Sequence, residues 1–88
     1  MELYKSVIRR YLSEYACSLR EKRGLTQAEM AERLHITERA YSDLERGVYC
    51  FSTVPLVSLL LMLKSDEFEE FIEPLRGEIA KLEAGEVA

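Results

Sequence analysis

Apolar residues near the start of the chain recur at steps of three and four, the period of a helix with one buried face. Lys22, Arg23 and Gly24 follow, and a glycine after two cations is typical of a helix C-terminus. The pattern therefore predicts a first helix from about residue 3 to Lys22. Its predicted buried face consists of Leu3, Val7, Ile8, Tyr11, Leu12, Tyr15, Ala16 and Leu19.

Two short helices are predicted next. Thr26 and Glu29 have the spacing of a capping box, in which each side chain accepts a hydrogen bond from the other residue's amide. The helix that they open should end near His35. Thr37 is a second N-cap candidate, and the helix that it opens should end at Gly47. Two helices with so tight a connection are typical of a helix-turn-helix.

The rest of the chain predicts two further helices. One is apolar at nearly every position up to Leu63, and Pro55 is tolerated in its first turn, where its missing N–H needs no partner. A helix that is apolar all round is expected at the centre of the core. The other carries apolar residues at steps of four and three, which favours packing along its length. Pro74 lies inside this helix and is expected to kink or break it. The apolar seam consists of Phe68, Ile72, Leu75, Ile79 and Leu82.

These elements predict an all-α protein of five helices, since no segment has the alternating pattern of a strand. With 88 residues, the chain has room for a single small domain. We expect residues 1–64 to form the helix-turn-helix domain, with the helix-turn-helix proper at 26–47. Residues 65–88 should form an additional acidic, amphipathic C-terminal helix that serves packing or dimerisation.

The charge distribution bears on whether the protein can bind nucleic acid. The formal net charge is -4, whereas simple nucleic-acid binders usually carry a basic excess. The excess acid belongs to residues 64–88, which hold eight acidic and three basic residues, while residues 20–63 hold six of each. The eight acids are expected to face solvent, because the seam residues between them are apolar.

Candidate chemistry is sparse. Cys17 and Cys50 lack metal-binding spacing, and His35 has no second ligand nearby, so we expect reduced thiols, no metal, no cofactor and no enzyme site. The longest apolar run, Val54 to Leu63, is too short to cross a bilayer, and no signal peptide is evident. We therefore expect a soluble, cytoplasmic protein.

The stretch LREKRGLTQAEMAERLHITERAYSDLERG, residues 19–47, resembles the phage-repressor family of helix-turn-helix domains, also called Xre/Cro-like or lambda repressor-like. With the fourth helix included, the resemblance covers residues 19–63. It implies a lambda repressor-like fold and a sequence-specific DNA-binding transcriptional regulator, a dimer with helix 37–45 in the major groove. The matching positions are Arg20, Gly24-Leu25-Thr26-Gln27, Ala31, Ile36-Thr37 and Glu45-Arg46-Gly47.

The resemblance also implies roles for single residues. It predicts an internal ion pair between Arg20 and Glu45. It places Gln27 against a phosphate, and an arginine at position 39 can pair with O6 and N7 of a guanine. Glu38 or Asp43 can accept from a cytosine amino group. The full set of predicted DNA-binding residues is Gln27, Thr37, Glu38, Arg39, Ser42, Asp43 and Arg46.

Three features leave alternatives open. The turn position that is usually glycine is His35, so the turn either adopts an unusual backbone or is reshaped. The loop Val48 to Phe51 lacks cations and either folds into the core or forms a patch for a protein partner. The C-terminal seam either packs on the first helix or forms a homodimer contact. The alternative function is a protein-interaction module on a helix-turn-helix scaffold, with weak or no DNA binding.

Overall fold

The computed structural model describes residues 2–85 and contains five α-helices. All regular structure in this range is helical, which confirms the expected fold class. The helices are α1 (Glu2–Lys22), α2 (Gln27–Arg33), α3 (Glu38–Glu45), α4 (Thr53–Leu61) and α5 (Ser65–Glu83).

The longest helices, α1 and α5, pack against each other in antiparallel orientation. Lys22 at the end of α1 pairs with Glu67 at the start of α5, whereas Arg10 pairs with Glu78 further along. Between these pairs, the ring of Phe71 packs against two tyrosines of α1. The C-terminal helix is therefore engaged with the first helix of the same chain, which is one of the two arrangements that the seam allowed.

The core lies where the helix-turn-helix meets α1. Tyr41 of α3, Met30 of α2 and Leu34, which caps α2, are fully buried there, and α4 adds Leu59. Burying these large side chains supplies most of the favourable free energy of folding in so small a domain. The buried apolar residues are Leu12, Ala16, Leu19, Met30, Ala31, Leu34, Tyr41, Leu44, Phe51, Leu59 and Phe71.

The expectation that the fourth helix forms the centre of the core is wrong. Only Pro55 and Leu59 of α4 are buried, while Val54, Val57 and Leu61 are 59%, 47% and 80% exposed. The other helices cover one side of α4 and leave the opposite side open. A periodic pattern records which positions are apolar, but it does not record which of them another element covers.

In the C-terminal segment, Pro74 does not break the helix, and one of the acids expected to face solvent is buried. The α-helix continues through Pro74, which lies on the exposed side, where water can satisfy the carbonyl of Glu70 that lacks a proline N–H partner. Glu67 does not face solvent, since it is only 6% exposed. Cations at the end of α1 hold this carboxylate inside the fold.

The turn between α2 and α3 adopts the unusual backbone that was one of its two predicted arrangements. His35 has a φ of 64°, in the left-handed region where a Cβ is unfavourable. We expect His35→Gly to raise the free energy of unfolding by about 1 kcal/mol, because glycine avoids this Cβ contact. Urea denaturation followed by circular dichroism measures the change. His35→Ala is the control, since it keeps the Cβ, and a glycine variant no more stable than the alanine variant would contradict the prediction.

Candidate nucleic-acid interface

The two predicted N-caps fix the start of both helices of the helix-turn-helix. Thr26 Oγ1 accepts from the Glu29 amide over 3.1 Å, and Glu29 Oε1 accepts from the Thr26 amide over 2.9 Å. Thr37 Oγ1 accepts from the Ala40 amide over 3.1 Å. Each bond satisfies an amide that the first helical turn leaves without a partner. The N-terminus of α3 is thus held in a defined position at the surface.

A single carboxylate joins α1, α2 and α3. Arg20 donates from Nε to Glu45 Oε2 over 2.8 Å and from Nη2 to Oε1 over 3.1 Å. Gln27 Nε2 donates to Oε1 over 2.9 Å, and the Tyr41 hydroxyl donates to Oε2 over 2.6 Å. We call these four residues the Glu45 cluster. Because its donors come from all three helices, the cluster sets the orientation of α3 relative to α1 and α2.

The protonation states of the Glu45 cluster are well defined. Burial raises the pKa of Glu45, but hydrogen bonds from Arg20, Tyr41 and Gln27 outweigh this effect and lower the pKa to about 2. Burial and the neighbouring carboxylate raise the pKa of Tyr41, so its hydroxyl remains a donor. The side chains of Arg20 and Glu45 are 17% and 9% exposed. The cluster therefore contains a largely buried ion pair whose charges are fully hydrogen-bonded at neutral pH.

Gln27 was predicted to contact a DNA phosphate. Its side chain is half-buried at the N-terminus of α2, where it donates one hydrogen bond to Glu45. That bond fixes the position of the amide group and leaves its second N–H and its oxygen available. The phosphate contact remains a prediction, now with a side chain that is held in place.

The outer face of α3 is formed by Glu38, Arg39, Ser42 and Asp43, together with Arg46, which caps the C-terminus of the helix. Glu38 and Arg39 are exposed and have no ion-pair partner within residues 2–85. Asp43 pairs with Arg46 one turn further along, so one of the two carboxylates predicted to accept from a cytosine already has a cationic partner. The pair cancels its own charge, and Glu38 offsets Arg39. The outer face is therefore electrically neutral, with Arg39 as its free cation.

The loop between α3 and α4 combines both predicted arrangements. Phe51 is 8% exposed and belongs to the core, whereas Val48 and Tyr49 are 48% and 62% exposed. Cys50 is a half-buried free thiol. A groove of about 350 Å³ separates this loop from α3, and Arg39 lies on its rim. Half of the loop therefore anchors α4, and the other half leaves apolar surface beside the outer face of α3.

Glu67 is a structural residue that the sequence pattern did not reveal. Its carboxylate accepts from the Lys64 amide over 3.0 Å, from Lys22 Nζ over 3.1 Å and from Arg23 Nη2 over 2.7 Å. Arg23 Nη2 also donates to the carbonyl of Met62 over 3.1 Å. The Lys64 amide and then Lys22 lower the pKa of Glu67 to about 2. A glutamate three residues after a helix N-cap is a weak signal for such a bond, because many exposed glutamates share this spacing.

Comparison with known proteins gives one family match. A family model described as Helix-turn-helix matches residues 18–66, more than half of the chain. The chain belongs to the Xre/lambda repressor-like helix-turn-helix family. No curated protein and no solved structure matches significantly.

This family consists of DNA-binding regulators and is not an enzyme family, so the protein is a helix-turn-helix DNA-binding protein. The matched segment contains the whole Glu45 cluster and the outer face of α3. It starts late in α1 and ends at the second residue of α5, so most of the α1–α5 pair lies outside it. None of the helices in residues 2–85 is long and apolar enough to span a membrane.

Proposed function

We propose that this protein is a cytoplasmic, sequence-specific transcriptional regulator of the Xre/Cro type that binds DNA as a dimer, with α3 in the major groove. The observation that carries this proposal is the placement of Arg39. It is exposed next to the capped N-terminus of α3, on a helix that the Glu45 cluster holds rigidly. A guanidinium presented in this way can bind the O6 and N7 atoms of a guanine.

The remaining predicted contacts support binding to the DNA backbone. The Thr37 hydroxyl accepts from Ala40 and keeps its own O–H free to donate to a phosphate. Gln27, at the N-terminus of α2, is the second proposed contact to a phosphate. Arg46, with a side chain that is 64% exposed, adds one cation although Asp43 compensates its charge. Ser42 completes the polar surface.

Neutrality of the outer face has a consequence for affinity. The salt dependence of DNA binding rises with the number of phosphates that a protein neutralises. Here Arg39 is the free cation of the outer face, because Arg46 is paired with Asp43. The proposed regulator should therefore bind with modest affinity and a shallow salt dependence, and its specificity should depend strongly on base contacts.

Arg39→Ala tests the proposal. We expect it to weaken binding to the preferred duplex by about tenfold to a hundredfold, the loss typical of one bidentate base contact. Fluorescence anisotropy with duplexes selected from a random pool, at low and moderate salt, measures the change. The matched control is Arg76→Ala, which removes the same charge from an exposed site on α5. Equal losses in both variants would show that only net charge matters.

Complete absence of DNA binding by folded wild-type protein at low salt would reject the proposed function. That result would favour the second candidate, a protein-interaction module on the helix-turn-helix scaffold. The observation behind this candidate is the exposure of Val48 and Tyr49 beside a neutral outer face, since exposed apolar residues next to a groove are typical of protein contacts. In that case Tyr49→Ala should weaken partner binding without changing stability.

A further inference from the structure

One side of α4 carries an apolar surface that the fold leaves uncovered. Val54, Val57 and Leu61 are 59%, 47% and 80% exposed, and we call them the α4 outer stripe. At the angular spacing of an α-helix these three positions fall within an arc of roughly 60°. They are therefore a contiguous strip along the helix, not scattered surface residues.

The chemistry around the α4 outer stripe is unusual for a solvent-facing helix. No charged residue occurs between Thr53 and Leu63, although charged residues make up 32% of the whole chain. The opposite side of the helix is buried through Pro55 and Leu59. Uncovered apolar strips of this kind mark interaction sites. We therefore expect a second partner to cover the outer side of α4.

We propose that the α4 outer stripe is the centre of a two-fold homodimer interface, in which it packs against the same stripe of a second copy. This inference rests on the dimer in the proposed function and names its contact surface. A two-fold interface places identical patches against each other, so an uncharged apolar strip is complementary to itself. Two copies that each carry a net charge of -4 repel, and an uncharged surface reduces that cost where they meet.

Area and geometry agree with this assignment. The stripe exposes on the order of 300 Å² of apolar surface, enough for the apolar centre of an interface that buries about 800 Å² per partner within a polar rim. A hydrogen bond from Arg23, the residue after α1, to the carbonyl of Met62, the residue after α4, helps to hold the helix in position. A dimer formed here would hold its two α3 helices in a constant relative orientation, as paired half-sites require.

The alternative contact surface, the seam of α5, is less available. Phe71 is buried against α1, and Ile72 and Leu75 pack against the core. Phe68 is the seam residue that remains exposed, at 40%. Every seam residue of α5, including the half-buried Ile79 and Leu82, is less exposed than each of the three residues of the α4 outer stripe.

Sedimentation equilibrium of wild-type protein, Leu61→Glu and Phe68→Glu tests the inference over a wide range of concentration. Each variant places a carboxylate on an exposed apolar position of one candidate surface. We expect wild-type dimers, at least about tenfold weaker association for Leu61→Glu, and little change for Phe68→Glu. Far-UV circular dichroism and thermal unfolding verify that both variants fold, and Val57→Glu serves as a second stripe variant.

Three results would overturn the inference: a monomeric wild-type protein at all concentrations, wild-type association in both stripe variants, or loss of the dimer in Phe68→Glu alone. Anisotropy on the same samples separates this inference from the proposed function. A monomeric wild type that binds DNA in an Arg39-dependent way would reject the α4 interface and retain DNA binding. A dimer that depends on Leu61 but binds no duplex would support the α4 interface and reject the proposed DNA binding.

Discussion

Glu45→Gln is expected to lower the free energy of unfolding by about 3 kcal/mol, the cost of breaking a buried ion pair from one side. The substitution keeps the size of the side chain but leaves the Arg20 guanidinium, whose side chain is 17% exposed, without a counter-charge. It also replaces one acceptor oxygen by a donor group that faces Tyr41 or Gln27. Urea denaturation at neutral pH measures the loss, which corresponds to a decrease in Tm of roughly 15 °C.

Matched variants distinguish the Glu45 cluster from a general charge effect. Glu32→Gln removes the same charge from an exposed position on α2 and should change stability by less than about 0.5 kcal/mol. Tyr41→Phe and Gln27→Ala each remove one donor and should cost about 1 kcal/mol. A Glu45→Gln variant as stable as the Glu32→Gln control would show that the ion pair contributes nothing net.

Acid should destabilise the protein in a defined range of pH. The folded-state pKa of both Glu45 and Glu67 is about 2, compared with an ordinary value of 4.5. The unfolded chain therefore binds more protons than the folded chain between these values, so stability decreases as the pH falls. The contribution of both residues is complete above a pH of about 5 and is lost progressively toward a pH of about 2. Glu45 alone should account for about 2–3 kcal/mol of this loss.

Urea midpoints measured from neutral pH down to a pH of about 3 test this expectation. The wild-type midpoint should fall steadily below a pH of about 5, whereas the slope should be smaller in Glu45→Gln and in Glu67→Gln. Glu69→Gln on the exposed side of α5 is the control and should keep the wild-type slope. A wild-type midpoint that stays constant through this range would contradict the role of both carboxylates.

Local patterns were sufficient where the deciding interactions are close in sequence. The capping box of Thr26 and Glu29 and the cap at Thr37 were predicted from spacing and are present. These bonds join residues three apart, so the neighbouring sequence contains everything that they need. Arg20 and Glu45 are 25 positions apart, and only the family resemblance suggested the pair that the structure contains.

Interactions between distant segments were harder to anticipate. Glu67 looked like one more solvent-facing acid, and its burial depends on Lys22 and Arg23, which are far away in the sequence. The residue type of Glu67 was known, but its two cationic partners are 45 and 44 positions away and come close only when α5 packs against α1.

The sequence by itself determined the five helices, the helix-turn-helix and the polar residues on the outer face of α3, because periodicity and caps act within one or two turns. The tertiary structure decided which side of each apolar helix is covered. It placed α5 on α1, and it left Val54, Val57 and Leu61 of α4 in solvent. Hydrophobicity has no direction, so an apolar position specifies that burial is favourable without specifying the surface that provides it.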